Sequence, residues 1–187
     1  MAIDVERLTQ LINKLDQIIQ KNSYAGYDPF DGLRSALLKI VPLPGVYPKI
    51  AWIQFFKKFP INLRPLFLIA KGINPKAMGL FLSGYSSLYK IHKDNHDLEK
   101  AQFITNWLIK NQAPGYSGAC WGYNFDWQNR AFFIPKNTPT IVGSAFIGHA
   151  LLDFYEITGE QGPLATAQSI TEFMRHDFFL SQMENDT

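Results

Sequence analysis

Apolar residues recur at three- and four-residue steps from the start of the chain. Val5, Leu8, Leu11, Ile12, Leu15, Ile18 and Ile19 share one side of a helical projection, and Glu6, Lys14, Asp16 and Gln20 fill the other. The pattern predicts an amphipathic helix. Residues 22–27 break it. Next comes YDPFDGL, residues 27–33, whose Asp-Pro and Asp-Gly steps are turn chemistry. A short helix is expected over about 33–40. In VPLPGVYP, which follows, the prolines leave no room for a long regular element. Residues 49–58 carry apolar and aromatic side chains on every side, as a buried helix does, and Pro60 ends that segment.

The second half is more regular. Asn74 and Pro75 supply a cap and first-turn pair for a helix running to about His92. Asp97 is expected to cap a second helix ending near Asn111. Thr138 and Pro139 repeat the start signal for a helix reaching about Thr158, where Gly159 is a natural stop. Pro163 opens the last helix, to about His176, and the polar residues 178–187 read as a frayed tail. No alternating run of useful length suggests a strand. The expected fold is all-α, a single domain over residues 1–187.

A repeat sharpens this reading. LEKAQFITNWLIK (98–110) aligns without gaps on LATAQSITEFMRH (164–176), with Leu, Ala, Gln, Ile and Thr identical at matching places. Upstream, Gly79 and Gly84 match Gly143 and Gly148 once a shift of about two residues is allowed. Each unit is then an outgoing helix, a tight turn and a returning helix, and such hairpins bury their apolar faces by stacking on neighbours. Equal burial is expected for Leu98, Ala101, Ile104, Thr105 and Leu108 and for Leu164, Ala167, Ile170, Thr171 and Met174.

Composition removes several classes of function. Among 187 residues, 18 are basic and 16 acidic, and no basic run is long enough to track a phosphate backbone, so nucleic acid is not an expected partner. A single cysteine, Cys120, excludes an internal disulfide framework and suits a reducing compartment. Charges run throughout the first 20 residues, so no signal peptide is expected, and no apolar run approaches the roughly 18–20 residues of a membrane span. The expectation is a cytoplasmic protein without cofactor or metal. The spacing of His92, His96 and Asp97 resembles a ligand set, but these residues fall at a solvated helix-to-helix turn.

The candidate chemistry lies in the connections. Residues 115–140, GYSGACWGYNFDWQNRAFFIPKNTPT, form an unusually long connection of the kind that often binds ligands. Its Asp126 stands between Phe125 and Trp127. Asp28 and Asp31 lie beside Tyr27 and Phe30, where they either act chemically or cap the turn. A carboxyl beside apolar rings tends towards a raised pKa, as a general acid requires, while an ionised partner serves as base or nucleophile. These three aspartates are the catalytic candidates. Trp121, Tyr123, Trp127, Gln128 and Arg130 are the substrate-binding candidates, because pyranose faces stack on indoles and hydroxyls suit planar amide and guanidinium groups. His149, one turn into an apolar helix, joins them as a candidate base or a core histidine.

Helical hairpins with aromatic, glycine-rich connections resemble the α/α-toroid superfamily of six-hairpin glycosidases, sugar epimerases, polysaccharide lyases and terpenoid cyclases. More narrowly, YDPFDGL, RPLF (64–67), NPKAMGLFLSGYSSLY (74–89), CWGYNFDWQ (120–128) and NTPTIVGSAFIGHALL (137–152) resemble a little-characterised group of microbial exopolysaccharide-biosynthesis proteins. The resemblance implies a toroid whose funnel binds carbohydrate, and it supplies no catalytic assignment. A six-hairpin ring needs roughly twice this length. The chain is therefore expected to be a truncated member, an N-terminal half, or a protein that completes itself by association with a copy or a complementary half. Residues 50–59 are the expected exposed seam. A non-catalytic helical-repeat module is the alternative function.

Overall fold

The structure is a computed structural model and describes residues 4–177. It is mostly helical. The helices are α1 (Val5–Lys21), α2 (Val46–Lys58), α3 (Pro75–His92), α4 (Asn95–Lys110), α5 (Ile141–Thr158) and α6 (Gln161–His176). Two short 3-10 turns, Asp31–Arg34 and Ala36–Lys39, replace the single helix expected over 33–40, because the chain must bend twice in eight residues. One ladder of two-residue strands, β1 (Trp127–Gln128) and β2 (Phe133–Ile134), is too short to show as alternation in the sequence. The tail over 178–187 lies outside the described residues.

Helix ends follow local chemistry. Asp4 accepts from the Arg7 amide to start α1, and the Thr140 hydroxyl accepts from the Gly143 amide to start α5. The cap of α4 is Asp94, not Asp97: its carboxylate accepts from the His96 amide at 2.9 Å, and Asp97 falls in the first turn. Gly159 ends α5 in the left-handed conformation at φ 72°, and Lys93 does the same after α3 at φ 56°.

The described residues fall into two compact units. In the first, the segment up to Asn74 packs with Phe125–Phe133. Its core is aromatic: Trp52, Phe55, Phe56 and Phe67 pack with ring centroids 5.1–6.5 Å apart, mostly edge to face. The Trp52 indole donates to the Gly32 carbonyl at 3.0 Å, which ties α2 to the first 3-10 turn. Residues 50–59, the expected exposed seam, are covered only in part. Ile53 and Phe56 are buried and Trp52 is half-buried, whereas Phe55 and Phe59 are exposed. Uncovered apolar surface also lies along α1, where Val5, Leu8, Leu11, Leu15 and Ile18 are all exposed.

In the second unit α3 packs against both α4 and α5, and α5 against α6. The boundaries of α5 and α6 each lie 66 residues after those of α3 and α4. Burial matches at Leu98 and Leu164, at Ala101 and Ala167, and at Ile104 and Ile170. It differs at Thr105, buried where Thr171 is exposed, and at Leu108, buried where Met174 is half-covered.

The first part of the long connection is woven into this unit. The Ala119 amide donates to Ser169 Oγ, and the Trp121 amide donates to Ser144 Oγ. A Cβ on Gly118 would stand 1.8 Å from the Ser169 carbonyl oxygen, and one on Gly122 would stand 2.3 Å from that of Thr138. Gly118→Ala is accordingly expected to force the strap off α6 and to lower the urea midpoint, by an amount equivalent to about 2–3 kcal/mol. An unchanged midpoint would show that the strap shifts at no cost.

Candidate functional site

The turn 27–33 is built from its own aspartates. Asp28 accepts from the Phe30 amide at 2.9 Å, and Asp31 accepts from the Asp28 amide at 3.0 Å, which closes the turn from both sides. The other Asp31 oxygen takes a 2.7 Å bond from Arg64 Nε, while Arg64 Nη2 donates to the Asp28 carbonyl at 2.9 Å. Asp31 is 1% exposed. With both oxygens committed and no access, it is a structural carboxylate, and the geometry corrects its candidacy as a catalytic group.

Asp28 is placed differently. It is half-buried, and its second oxygen accepts from the Asn74 amide nitrogen at 3.1 Å. Burial pushes its pKa above the ordinary aspartate value, and the charge of Asp31 adds to the rise. Bonds from Phe30 and Asn74 and the charge of Arg64 oppose it. Because the folded pKa exceeds the unfolded one, the stability Asp28 contributes is fully present below the unfolded value and is lost as pH rises through the folded value. Relative to Asp28→Asn, the wild-type protein should gain stability as pH falls from 7 towards 4. Urea midpoints of both proteins across that range check this, and a constant difference would contradict the shift.

Rings surround this turn within the same unit. Phe30 meets Trp127 edge-on at 6.1 Å, and Trp127 meets Phe132 at 5.8 Å. Lys57 Nζ sits 4.3 Å above the Phe30 ring, and the Arg64 guanidinium lies 5.7 Å from the Tyr27 ring. The Phe30–Trp127 contact brings the turn bearing Asp28 against the strand that follows the half-buried Asp126. β1 and β2 are joined by a tight loop in which Asn129 Oδ1 accepts from the amides of Ala131 and Phe132. Gln128 is buried, and its amide nitrogen donates to the carbonyls of Asn129 and Phe132, so it supports the loop instead of facing solvent. Arg130 is exposed at the tip and Trp127 is half-exposed.

The remaining candidates belong to the second unit. Trp121 is 1% exposed, and its indole donates to the Leu108 carbonyl at 3.0 Å. A ring covered in this way offers no face to a sugar, so the geometry corrects its candidacy as well. Tyr123 is half-buried, and His149 is exposed on α5. Cys120 is buried and its thiol is pushed up to about 11, chiefly by burial and then by the charge of Asp177, which keeps it protonated at neutral pH. Among the described residues no group of three His, Cys, Asp or Glu side chains is placed to hold a metal ion. No described helix is long and apolar enough to cross a membrane.

Sequence reasoning missed Arg64 and Asn74 as members of the site. Both carry ordinary signals of other kinds, a residue before proline and a helix start, and their partners lie 33 or more residues away. Compared with known protein families, curated proteins and solved structures, the chain finds no match.

Proposed function

We propose that this chain is a carbohydrate-active or glycan-binding protein of polysaccharide biosynthesis, and that it holds sugar rings at the cluster of Asp28, Asp126, Phe30 and Trp127. The observation that carries this reading is the edge contact of Phe30 on Trp127, beside an aspartate whose pKa burial raises above the ordinary aspartate value. A half-exposed indole accepts the C–H face of a pyranose. Asp28 supplies a carboxyl that donates to or accepts from a glycan oxygen as pH changes, and in a catalytic version it is the general acid. Arg64 and Asp31 hold the turn that presents it. Arg130, exposed at the tip of the loop in the same unit, is retained as a binding contact at the margin.

Calorimetric titration with soluble gluco-, galacto- and uronic-acid oligosaccharides tests the proposal. Trp127→Ala should weaken binding about tenfold or more while leaving the fold intact. Equal affinity for wild type and variant would remove Trp127 from the reading.

The finer architecture belongs to the same proposal. We read α3–α4 and α5–α6 as successive hairpins of a partial (α/α) toroid, supported by their common 66-residue register and by the left-handed residue that ends each outgoing helix. The same register favours the second reading, a helical-repeat module that works by association.

A further inference from the structure

The packing of α3 on α5 supplies a template for what covers the open side of α5. Ser83 Oγ donates to Asp153 Oδ2 at 2.7 Å, and Lys90 Nζ lies 2.6 Å from Glu156 Oε2. Lys76 Nζ sits 4.5 Å above the Phe146 ring, and a Cβ on Gly79 would meet Ile147 Cγ1 at 3.0 Å. The side of α3 carrying Lys76, Gly79, Ser83 and Lys90 thus faces the side of α5 carrying Phe146, Ile147, Asp153 and Glu156.

Burial is asymmetric between the two pairs in the sense this packing dictates. Ser86 of α3 is fully covered, but its equivalent on α5, Leu152, is 39% exposed. On the returning helices Thr105 is covered and Thr171 is open. The other side reverses the order. Ile147, Ala150 and Phe154 of α5 are fully buried, whereas their equivalents on α3 are half-covered Phe81, exposed Gly84 and half-covered Leu88. Among the described residues α5 and α6 thus leave one side open, and α3 presents the side that packs against such a surface.

Moving each observed α3–α5 contact on by the 66-residue register predicts the pairs between α5 and the next α3. Lys76 on Phe146 becomes Val142 on Leu80, two apolar residues that are each about half exposed, at 54% and 51%. Gly79 on Ile147 becomes Ala145 on Phe81. Ser83 with Asp153 becomes His149 with Ser87, whereas Lys90 and Glu156 are already bonded to each other within the chain and add no pair. These three pairs are complementary: two are apolar on apolar, and one is hydrogen-bonding on hydrogen-bonding. We propose that a second copy of this chain docks head to tail, seating its α3 on the open side of α5 and α6. The contact is heterologous, so one copy uses a different surface from its partner.

Sedimentation velocity on the full chain at micromolar to submillimolar concentration tests it. The wild-type mass should rise with concentration. Leu152→Glu, which blocks the α5 side, and Leu80→Glu, which blocks the α3 side, should each raise the dissociation constant by about tenfold or more. An equimolar mixture of the two should form a dimer and stop there, because one intact surface remains on each. Val142→Glu and Ser87→Arg, both at exposed positions, form a second pair if circular dichroism shows that a variant has not folded. A wild-type protein that stays monomeric would overturn the proposal. So would variants that assemble like the wild type, or blocked variants whose mixture stays monomeric, the mark of a two-fold symmetric contact.

Discussion

Replacing Arg64 with alanine is expected to destabilise the protein by about 3–5 kcal/mol, since it strands the Asp31 carboxylate in a site only 1% exposed. The guanidinium makes two separate bonds, one to Asp31 at 2.7 Å and one to the Asp28 carbonyl at 2.9 Å. Removing it therefore releases the turn as well as the charge. Urea unfolding measures the loss. The double variant Asp31→Leu, Arg64→Leu should recover a large part of it, because no unpaired charge is left inside, yet it should not recover the turn that presents Asp28. A single variant as stable as the wild type would mean that water reaches Asp31 and that the clamp is incidental.

Trp121→Ala is expected to cost about 3–5 kcal/mol. Its ring fills space inside the second unit, its indole holds the end of α4 through the Leu108 carbonyl, and its own carbonyl accepts from the Thr140 amide at the start of α5. Trp127→Ala, in a half-exposed ring, should cost about 1 kcal/mol. Thermal unfolding of the two variants side by side checks the contrast, and equal losses would contradict the separation of core ring from binding ring.

That separation shows where sequence reading ran out. Both tryptophans stand in one aromatic connection, and composition alone gives them the same promise. The signal that divides them is glycine. Gly118 and Gly122 bracket Trp121 at points where a side chain would collide with the backbones of Ser169 and Thr138, whereas no glycine lies next to Trp127. The aspartates divide for a different reason. Asp28 and Asp31 were legible as turn residues with chemical potential. Their unequal roles depend on Arg64, which the chain brings in from 33 positions away and which no local pattern predicts.

Helices were more legible because caps act locally. The start of α3 and the end of α5 follow from Pro75 and Gly159. The other starts slipped by two or three residues: α4 is capped by Asp94 and not Asp97, α5 by Thr140 and not Thr138, and α6 begins at Gln161, ahead of Pro163. Periodicity on α1 gave the helix but not its environment, since an apolar stripe records what a helix can cover and not what lies against it. The two-residue shift between the glycines of α3 and α5 arose because they do different work. Gly79 admits Ile147, Gly143 lies against the Thr140 cap, Gly148 admits Ile170 and Gly84 faces open space. Matched by helix ends, the register needs no shift.

The most direct test of the proposed function uses the four indole groups, Trp52, Trp107, Trp121 and Trp127, as separate reporters. In an amide-edited NMR spectrum assigned with single Trp→Phe variants, titration with the oligosaccharide that binds in calorimetry should move the Trp127 indole signal. Trp121, bonded to Leu108 and shielded from solvent, should stay in place. A saturating titration in which Trp127 does not move, or in which only Trp107 or Trp121 does, would contradict the account.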